Sequence, residues 1–559
     1  MENRINTAAQ ELPENFSPLA RIFGTFFGRV GSDTDRPGLT AVGSRLITAR
    51  NEGHSFITLD ETDLAALRSV PQLYEGPTAM TVLDGDRLYL YREYRNEVTL
   101  AKAIADRLLK KAPPSEISDE AITKAFCRNN PDYTPHANQI EAVRNSFSKN
   151  FSIITGGPGT GKTTIIAALV ALEYERDPDI RIAIAAPTGK AAELLTDGLA
   201  KACKEHPLQA KTLHRLFEGT PDTNTFRRNS ENPLDCDLLI VDECSMISLD
   251  VAAKMFNGIR PDTRVVLSGD HRQLEAIGSG AVLSSLLTYA FDSTPASQTV
   301  KTSGVELTQN YRSKLAPTIQ GLAADIRTGL PDDELCQKIV ATSEADCTFR
   351  QLPAAETRRL ILDEALAHWQ LLTSCAREFT AENKKKAFEC LNSFRVLTAA
   401  RKGKEGCNKL NEEILKTLSL PGLHAPGSAL LITQNCPRTH LSNGDVGIVF
   451  ADKDKGGVKV HFKEMDKAFP IHELPPHESA FAMTVHKAQG SGFAEVIFPM
   501  PAEETPLLSR ELFYTALTRA AKKITICGTE KMVLAALQNQ SCRNTLLVER
   551  ILKELEKTL

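Results

Sequence analysis

Nine residues, GGPGTGKTT from Gly156 to Thr164, fit the spacing G-x-x-x-x-G-K-[ST] through Gly156, Gly161, Lys162 and Thr163. Glycines at this density let backbone N–H groups wrap an anion, and a following helix adds the favourable end of its dipole. Gly157, Pro158, Gly159 and Thr160 complete the expected cradle, and Thr164 closes it. Lys162 is placed to reach the β- and γ-phosphates of a nucleotide and Thr163 to hold Mg²⁺, so the expected ligands are ATP and Mg²⁺. A second stretch, LLIVDECSM from Leu238 to Met246, runs four apolar residues into Asp242 and Glu243. Asp242 suits the Mg²⁺ shell, and Glu243 suits orientation and deprotonation of an attacking water. A third, VLSGDHRQL from Val266 to Leu274, ends a strand at Gly269 and Asp270 and puts the neutral amide of Gln273 just beyond, where it can contact a γ-phosphate or its water. Two arginines further along, Arg312 and Arg519, could stabilise charge on a transferring phosphoryl group if a second domain closes over the first. Taken singly, a strand ending in Asp-Glu is also an ordinary capped strand, and each arginine an ordinary surface residue; their order after the phosphate loop is what gives them meaning.

The elements that must position these residues are legible as well. Ser152–Thr155, Arg181–Ala186, Asp237–Val241 and Thr263–Ser268 read as short strands without alternation. Thr163–Glu173 and Gly189–Leu199 read as helices between them, and such strands imply a parallel sheet covered on both faces. The same grammar returns at Phe394–Thr398, Ala480–Thr484, Glu495–Phe498 and Lys523–Cys527. Between about 420 and 476 it changes to short strands at Ala429–Ile432, Val446–Phe450 and Val458–Phe462 separated by Gly and Asp turns, which suggests a small antiparallel barrel. The first stretch reads differently again: a helix ending at Arg50 and strands at Ser55–Leu59 and Leu88–Tyr91. A boundary falls at Ala112-Pro113-Pro114-Ser115, which cannot continue a helix.

Composition limits the rest. The chain has 559 residues with 66 Lys plus Arg against 70 Asp plus Glu, a net charge of −4, which excludes a binder acting by bulk positive charge but not one with a local basic groove. No apolar run approaches the roughly 20 residues of a bilayer span, and the N-terminus lacks a secretory apolar region, so no membrane partner is expected. The 12 cysteines are scattered without C-x-x-C spacing, which points to reduced thiols in the cytoplasm. Lys384–Lys386 is a charge run of the kind that usually forms a solvated helix face.

Read in order, these motifs resemble the superfamily-one helicases. Gln139 in ANQIEAV stands where that family has its adenine-reading glutamine. APTGKAA (186–192), TLHRLF (212–217), VDECS, GDHRQL, QNYRS, TVHKAQGSGF (484–493) and YTALTRA (514–520) follow in family order. Within the superfamily the sequence is similar to the RecD-type alpha subunits of exodeoxyribonuclease V. DECSMI, NGDVGIV (443–449), LTAARKGKEGCNKLN (397–411) and the N-terminal phrases EGHSFITL and LYLYREYRNE carry that likeness.

The resemblance implies an α/β fold of two RecA-like P-loop motor domains with a small inserted β-barrel and a separate N-terminal domain. It implies a partner-contacting unit at 1–115, motor domain 1 at 116–300 with a strand-splitting pin at 217–234, motor domain 2 at 301–419 and 477–559, and an SH3-like barrel at 420–476. It implies Glu243, Gln273, Arg312 and Arg519 as catalytic residues, and Thr188, Lys190, Thr212, His214, Thr484, Val485 and His486 along a DNA strand. Thr and Lys in such motifs contact phosphate and not bases, so binding should tolerate any sequence. The implied activity is ATP-dependent 5′-to-3′ unwinding of DNA ends in a heterotrimer with RecB-like and RecC-like subunits, serving double-strand break repair by recombination, with nuclease chemistry left to a partner. A stand-alone superfamily-one DNA or RNA helicase and an ATP-switched scaffold are the competing readings; the complete motif set speaks against the scaffold.

Overall fold

The computed structural model describes the chain except residues 1–15, 111–116, 129, 203–207, 221–224, 290, 292, 312–314, 437, 453–455, 464 and 559. Two parallel sheets dominate. The first has six strands: β4 (Phe151–Gly156), β5 (Ile182–Ala186), β6 (Lys211–Thr212), β9 (Leu238–Val241), β10 (Arg264–Gly269) and β11 (Gly304–Leu307), in the order β11-β4-β10-β9-β5-β6. β4, β9 and β10 are buried along their whole length, which explains why they read as unbroken apolar runs. The second sheet has five parallel strands: β12 (Cys347–Arg350), β13 (Phe394–Thr398), β18 (Ala482–Thr484), β19 (Phe493–Pro499) and β20 (Ala520–Cys527), ordered β12-β20-β19-β13-β18.

Between β13 and β18 the chain forms a four-stranded antiparallel sheet from β14 (Ala429–Ile432), β15 (Val446–Ala451), β16 (Val458–Phe462) and β17 (His477–Ser479), ordered β16-β15-β14-β17. It has its own apolar centre around Leu430, Val449, Val460 and Phe469. Its last strand lies just past the expected end at 476. Two short strands, β7 (Gly219–Thr220) and β8 (Thr225–Phe226), pair antiparallel in the stretch where the pin is expected. Phe217 and Phe226 stack, ring centres 5.4 Å apart.

The N-terminal stretch forms three antiparallel strands, β1 (Phe56–Thr58), β2 (Thr81–Asp84) and β3 (Arg87–Leu90), over the helices Pro18–Gly28 and Arg36–Asn51. It is less self-contained than a unit ending at 115 implies. Its last helix, Tyr91–Leu109, sends Leu100, Ala101, Ile104 and Ala105 into the core under the first parallel sheet. The final helix, Leu547–Glu556, joins the same core through Leu547, Val548, Ile551 and Leu555, although the strands before it belong to the second sheet. The physical reason is visible in the buried Glu97. Its carboxylate accepts bonds from Arg550 Nε (2.9 Å), Tyr89 OH (3.2 Å) and Thr545 Oγ1 (2.7 Å), so the two helices lock together around a charge that needs all of these partners. Among the described residues no helix is long and apolar enough to cross a membrane, and the described cysteines are free thiols.

Candidate active site

The phosphate loop follows β4 and opens the helix Lys162–Arg176. Gly159 and Gly161 take φ of 84° and 87°, the left-handed region that glycine enters at no steric cost. Lys162 folds back into the loop, its Nζ donating to Gly156 O (2.7 Å) and Gly157 O (3.3 Å). Thr160 Oγ1 donates to Gly157 O and closes the turn. Thr163 is half-buried and Thr164 exposed at the first helical turn.

Gln139 lies beneath the loop, 1% exposed. Its Nε2 donates to Thr160 O (3.1 Å), and its Oε1 accepts from Tyr133 OH (2.9 Å), Tyr311 OH (2.8 Å) and the His136 N–H (3.1 Å). The amide oxygen is thus saturated by protein, and the nitrogen is anchored to the loop through one of its two hydrogens. The rings of Tyr133 and Tyr311, 5.5 Å apart, are the neighbours that sequence reading missed. The segment after β11 also leans on the loop: Asn310 Nδ2 donates to Pro158 O, and the Tyr311 N–H to Gly159 O.

Asp242 and Glu243 leave the end of β9 beside the loop. Asp242 is buried and accepts from Ser268 Oγ at 2.7 Å on β10. Glu243 sits at φ 54°, a left-handed backbone that a glutamate adopts only under local constraint. Enclosure by protein pushes its pKa up, and the Asp242 charge adds to this, while Lys162 and Arg519 pull the other way. The oxygen donors Thr163 and Asp242 are the right chemistry for Mg²⁺, which takes few protein ligands and keeps waters and phosphate oxygens.

The two parallel sheets meet at this point. Asp270, 1% exposed, accepts from Tyr514 OH at 2.9 Å and from Gln273 Nε2 at 3.2 Å through its Oδ2. Gln273 Oε1 accepts from Arg519 Nη2 at 3.1 Å, and Arg519 Nη1 donates to Ser491 O at 3.0 Å. Leu274 N–H donates to Thr515 Oγ1, and Gln489 Nε2 to Leu274 O. Gln273 and Arg519 are therefore in direct contact across the cleft. Tyr514, Asp270 and His271, whose Nδ1 pairs with Thr155 Oγ1 of β4 at 2.8 Å, belong to the same network. Their only sequence signal was their place inside the GDHRQL and YTALTRA motifs. Arg312 lies outside the described residues.

The residues expected along a nucleic-acid strand share one device. Thr188, Thr212 and Thr484 each end a strand or loop and cap the next helical turn, their hydroxyls accepting from the N–H of Ala191 (3.2 Å), Arg215 (3.2 Å) and Lys487 (3.4 Å). A hydroxyl that accepts in this way still has its proton to donate, and a phosphate oxygen is a suitable acceptor. Thr188 of the first half faces Gly490 of the second, where a side chain would come within 3.0 Å of its Oγ1. Lys190 is held by Glu193 at 2.9 Å. His214 is exposed, edge-on to Phe226. His486 is half-buried, and burial together with Arg543 lowers its pKa, which favours the neutral ring. Val485 is fully buried in the core of the second half, so only its backbone is available to a strand. The inserted sheet reaches this row: Arg215 Nη2 donates to His440 O (2.6 Å) and Ser442 Oγ (2.9 Å).

A model described as an AAA domain matches residues 139–279, and one described as a UvrD-like helicase C-terminal domain matches residues 479–527. RecBCD enzyme subunit RecD of Mycolicibacterium smegmatis is 34% identical, with 87% of this chain and 86% of that protein covered. The chain belongs to the RecD family. The RecBCD subunit RecD of Haemophilus influenzae is 32% identical over 81% of this chain and 78% of that protein. The ATP-dependent RecD2 DNA helicase of Deinococcus radiodurans is 30% identical; the match takes in 83% of this chain but only 58% of that longer protein. Both matched domain models fall on the two RecD-family regions that meet in the cleft, the phosphate-loop sheet and the strand-to-helix segment ending in β20.

Proposed function

We infer that this chain is an ATP-dependent DNA helicase, the 5′-to-3′ motor subunit of a RecBCD-type helicase–nuclease that processes DNA ends in double-strand break repair. The observation that carries the reading is the double link across the cleft, Tyr514 to Asp270 and Arg519 to Gln273, which ties the state of the phosphate loop to the position of the second sheet. In this reading the two parallel sheets are RecA-like motor domains, the inserted antiparallel sheet is an SH3-like barrel beside the strand, the paired strands β7 and β8 belong to the pin, and the N-terminal unit meets RecB-like and RecC-like partners. The cytoplasm is the compartment that fits.

ATP enters against Gly156–Thr164, and Lys162 exchanges the carbonyls of Gly156 and Gly157 for phosphate oxygens. Thr163 and Asp242 would hold Mg²⁺, which supplies shielding of phosphate charge. Glu243, with its raised pKa, is the base that takes a proton from the attacking water. Arg519, already on Gln273, faces charge that builds up on the transferring group, a role that the family resemblance also implies for Arg312. Closing and opening of the cleft alternates the grip of Thr188, Lys190, Thr212 and His214 in one half with that of Thr484, the Val485 backbone and His486 in the other. Each base-pair step opened costs about 1.4 kcal/mol of stacking.

The test is unwinding of duplexes carrying either a 5′ or a 3′ single-stranded tail, by the purified chain with ATP and Mg²⁺. Unwinding from the 5′ tail alone, abolished by Lys162→Ala with the fold intact, is the expected result. DNA-stimulated ATPase without unwinding would mean that productive work needs the partner subunits. Unwinding from the 3′ tail alone would overturn the polarity, and normal unwinding by the Lys162 variant would overturn the site.

A further inference from the structure

Gly157 is touched from two sides. Its carbonyl accepts from Lys162, the cation that must move when phosphate arrives. A side chain on its other face would come within 3.1 Å of Tyr514 OH and 3.2 Å of Arg327 Nη1. Arg327 has no place in the motifs. It rides on the helix Pro317–Thr328, whose Ile319, Leu322, Ala323 and Ile326 are part of the second half's core. Yet its Nη2 donates to Glu306 Oε1 (2.8 Å) and Leu307 O (3.4 Å), both on β11 at the edge of the first sheet. The Arg327 side chain is 15% exposed, and its Nε has no partner among the described residues. Glu306 is about half-exposed, so its hold on Arg327 is screened by solvent.

We propose that Arg327 is a positioning residue for ATP hydrolysis, reading occupancy of the phosphate loop through Gly157 and passing it to the second half. The proposal rests on the helicase reading above. The Lys162 charge is met by the carbonyls of Gly156 and Gly157. A nucleotide draws Lys162 away and brings anionic oxygens to the loop that Arg327 already borders. The guanidinium then shifts its attraction from the solvent-screened Glu306 toward the loop, since hydrogen bonds to a charged phosphate are the stronger kind. Because Arg327 is built into the second half, that shift pulls the helix Pro317–Thr328 and the sheet behind it toward the nucleotide. Gly157 is what permits the approach: any Cβ there would hold Tyr514 and Arg327 a few tenths of an ångström away.

The full-length chain is assayed for ATPase activity with and without single-stranded DNA. Stimulation of the wild type by DNA is read first, and its absence would count against the helicase reading and not against Arg327. Given stimulation, Arg327→Ala is expected to lower DNA-stimulated kcat tenfold or more while KM for ATP changes less than threefold. Gly157→Ala should shift kcat in the same direction, by about threefold. Arg327→Lys, which keeps the charge but loses the fork, should fall between Arg327→Ala and wild type. A kcat within twofold of wild type for Arg327→Ala overturns the proposal. So does a loss shared equally by kcat, ATP affinity and thermal stability, which marks a structural role only. An unaffected Gly157→Ala overturns the route through Gly157.

Discussion

Tyr514→Phe removes one oxygen and leaves the ring, which is 1% exposed and packed in the second half. The oxygen donates to Asp270 Oδ2 at 2.9 Å, and Asp270 is itself 1% exposed. A hydrogen bond to a buried charge contributes about 1.5–3 kcal/mol. Asp270 keeps Gln273 Nε2 and the Arg272 N–H, each at 3.2 Å, so the carboxylate is not orphaned and the lower end of that range applies. About 1.5 kcal/mol corresponds to roughly a tenfold change in an equilibrium constant. Because donor and acceptor sit on opposite halves, the loss falls on the closed cleft alone. The expected outcome is a roughly tenfold drop in kcat/KM for ATP in DNA-stimulated hydrolysis, with each half still folded. Steady-state kinetics and calorimetry on the same preparation separate the two effects. If kcat/KM stays within twofold of wild type, the bond does not hold the cleft closed. If the melting temperature falls as for a core mutation, the loss has struck the fold and not the closure.

Arg519→Ala should reduce kcat by a factor on the order of 10³, as for other arginines aimed at a transferring phosphoryl group, with nucleotide affinity changed far less; equal losses in both would place Arg519 in binding. His461, on β16 of the inserted sheet, stacks on Phe379 at 3.9 Å, and burial, together with Lys384 and Lys459, lowers its pKa from 6.5 to about 4. The folded value lies below the unfolded one, so folding favours the neutral ring. That contribution is complete above about pH 6.5 and drains away as pH falls toward 4. Urea denaturation between pH 7 and 4 should show this loss in the wild type and a flatter profile in His461→Phe; parallel profiles would dismiss His461 as its source.

Strands that carry the site were legible because a parallel strand covered on both faces must be apolar along its length. β13, β14 and β16 coincide residue for residue with the expected spans. Strands that escaped notice, among them β2, β6, β11, β12 and β17, lie at sheet edges or hold polar residues such as His477-Glu478-Ser479, where half-exposure removes the apolar signal. Phosphate-loop residues were readable because their chemistry depends on local spacing. Gln139's partners were not: Tyr133 and Tyr311 reach it from either side of the phosphate loop, and nothing in local periodicity marks them. Arg327 was invisible for the same reason, since only the folded chain brings it to Gly157.

The chain passes between its halves twice: once after β11, where Asn310 and Tyr311 are pinned to the phosphate loop, and again before the last helix. There Arg543 is fixed by Glu275 (2.7 Å) and Gly278 O (2.9 Å), and Asn544 by His54. A lid attached at one point swivels freely, but one attached at two separated points can turn only about the line that joins them. Two separated attachments restrict twisting and sliding of the second half against the first more than a single one would.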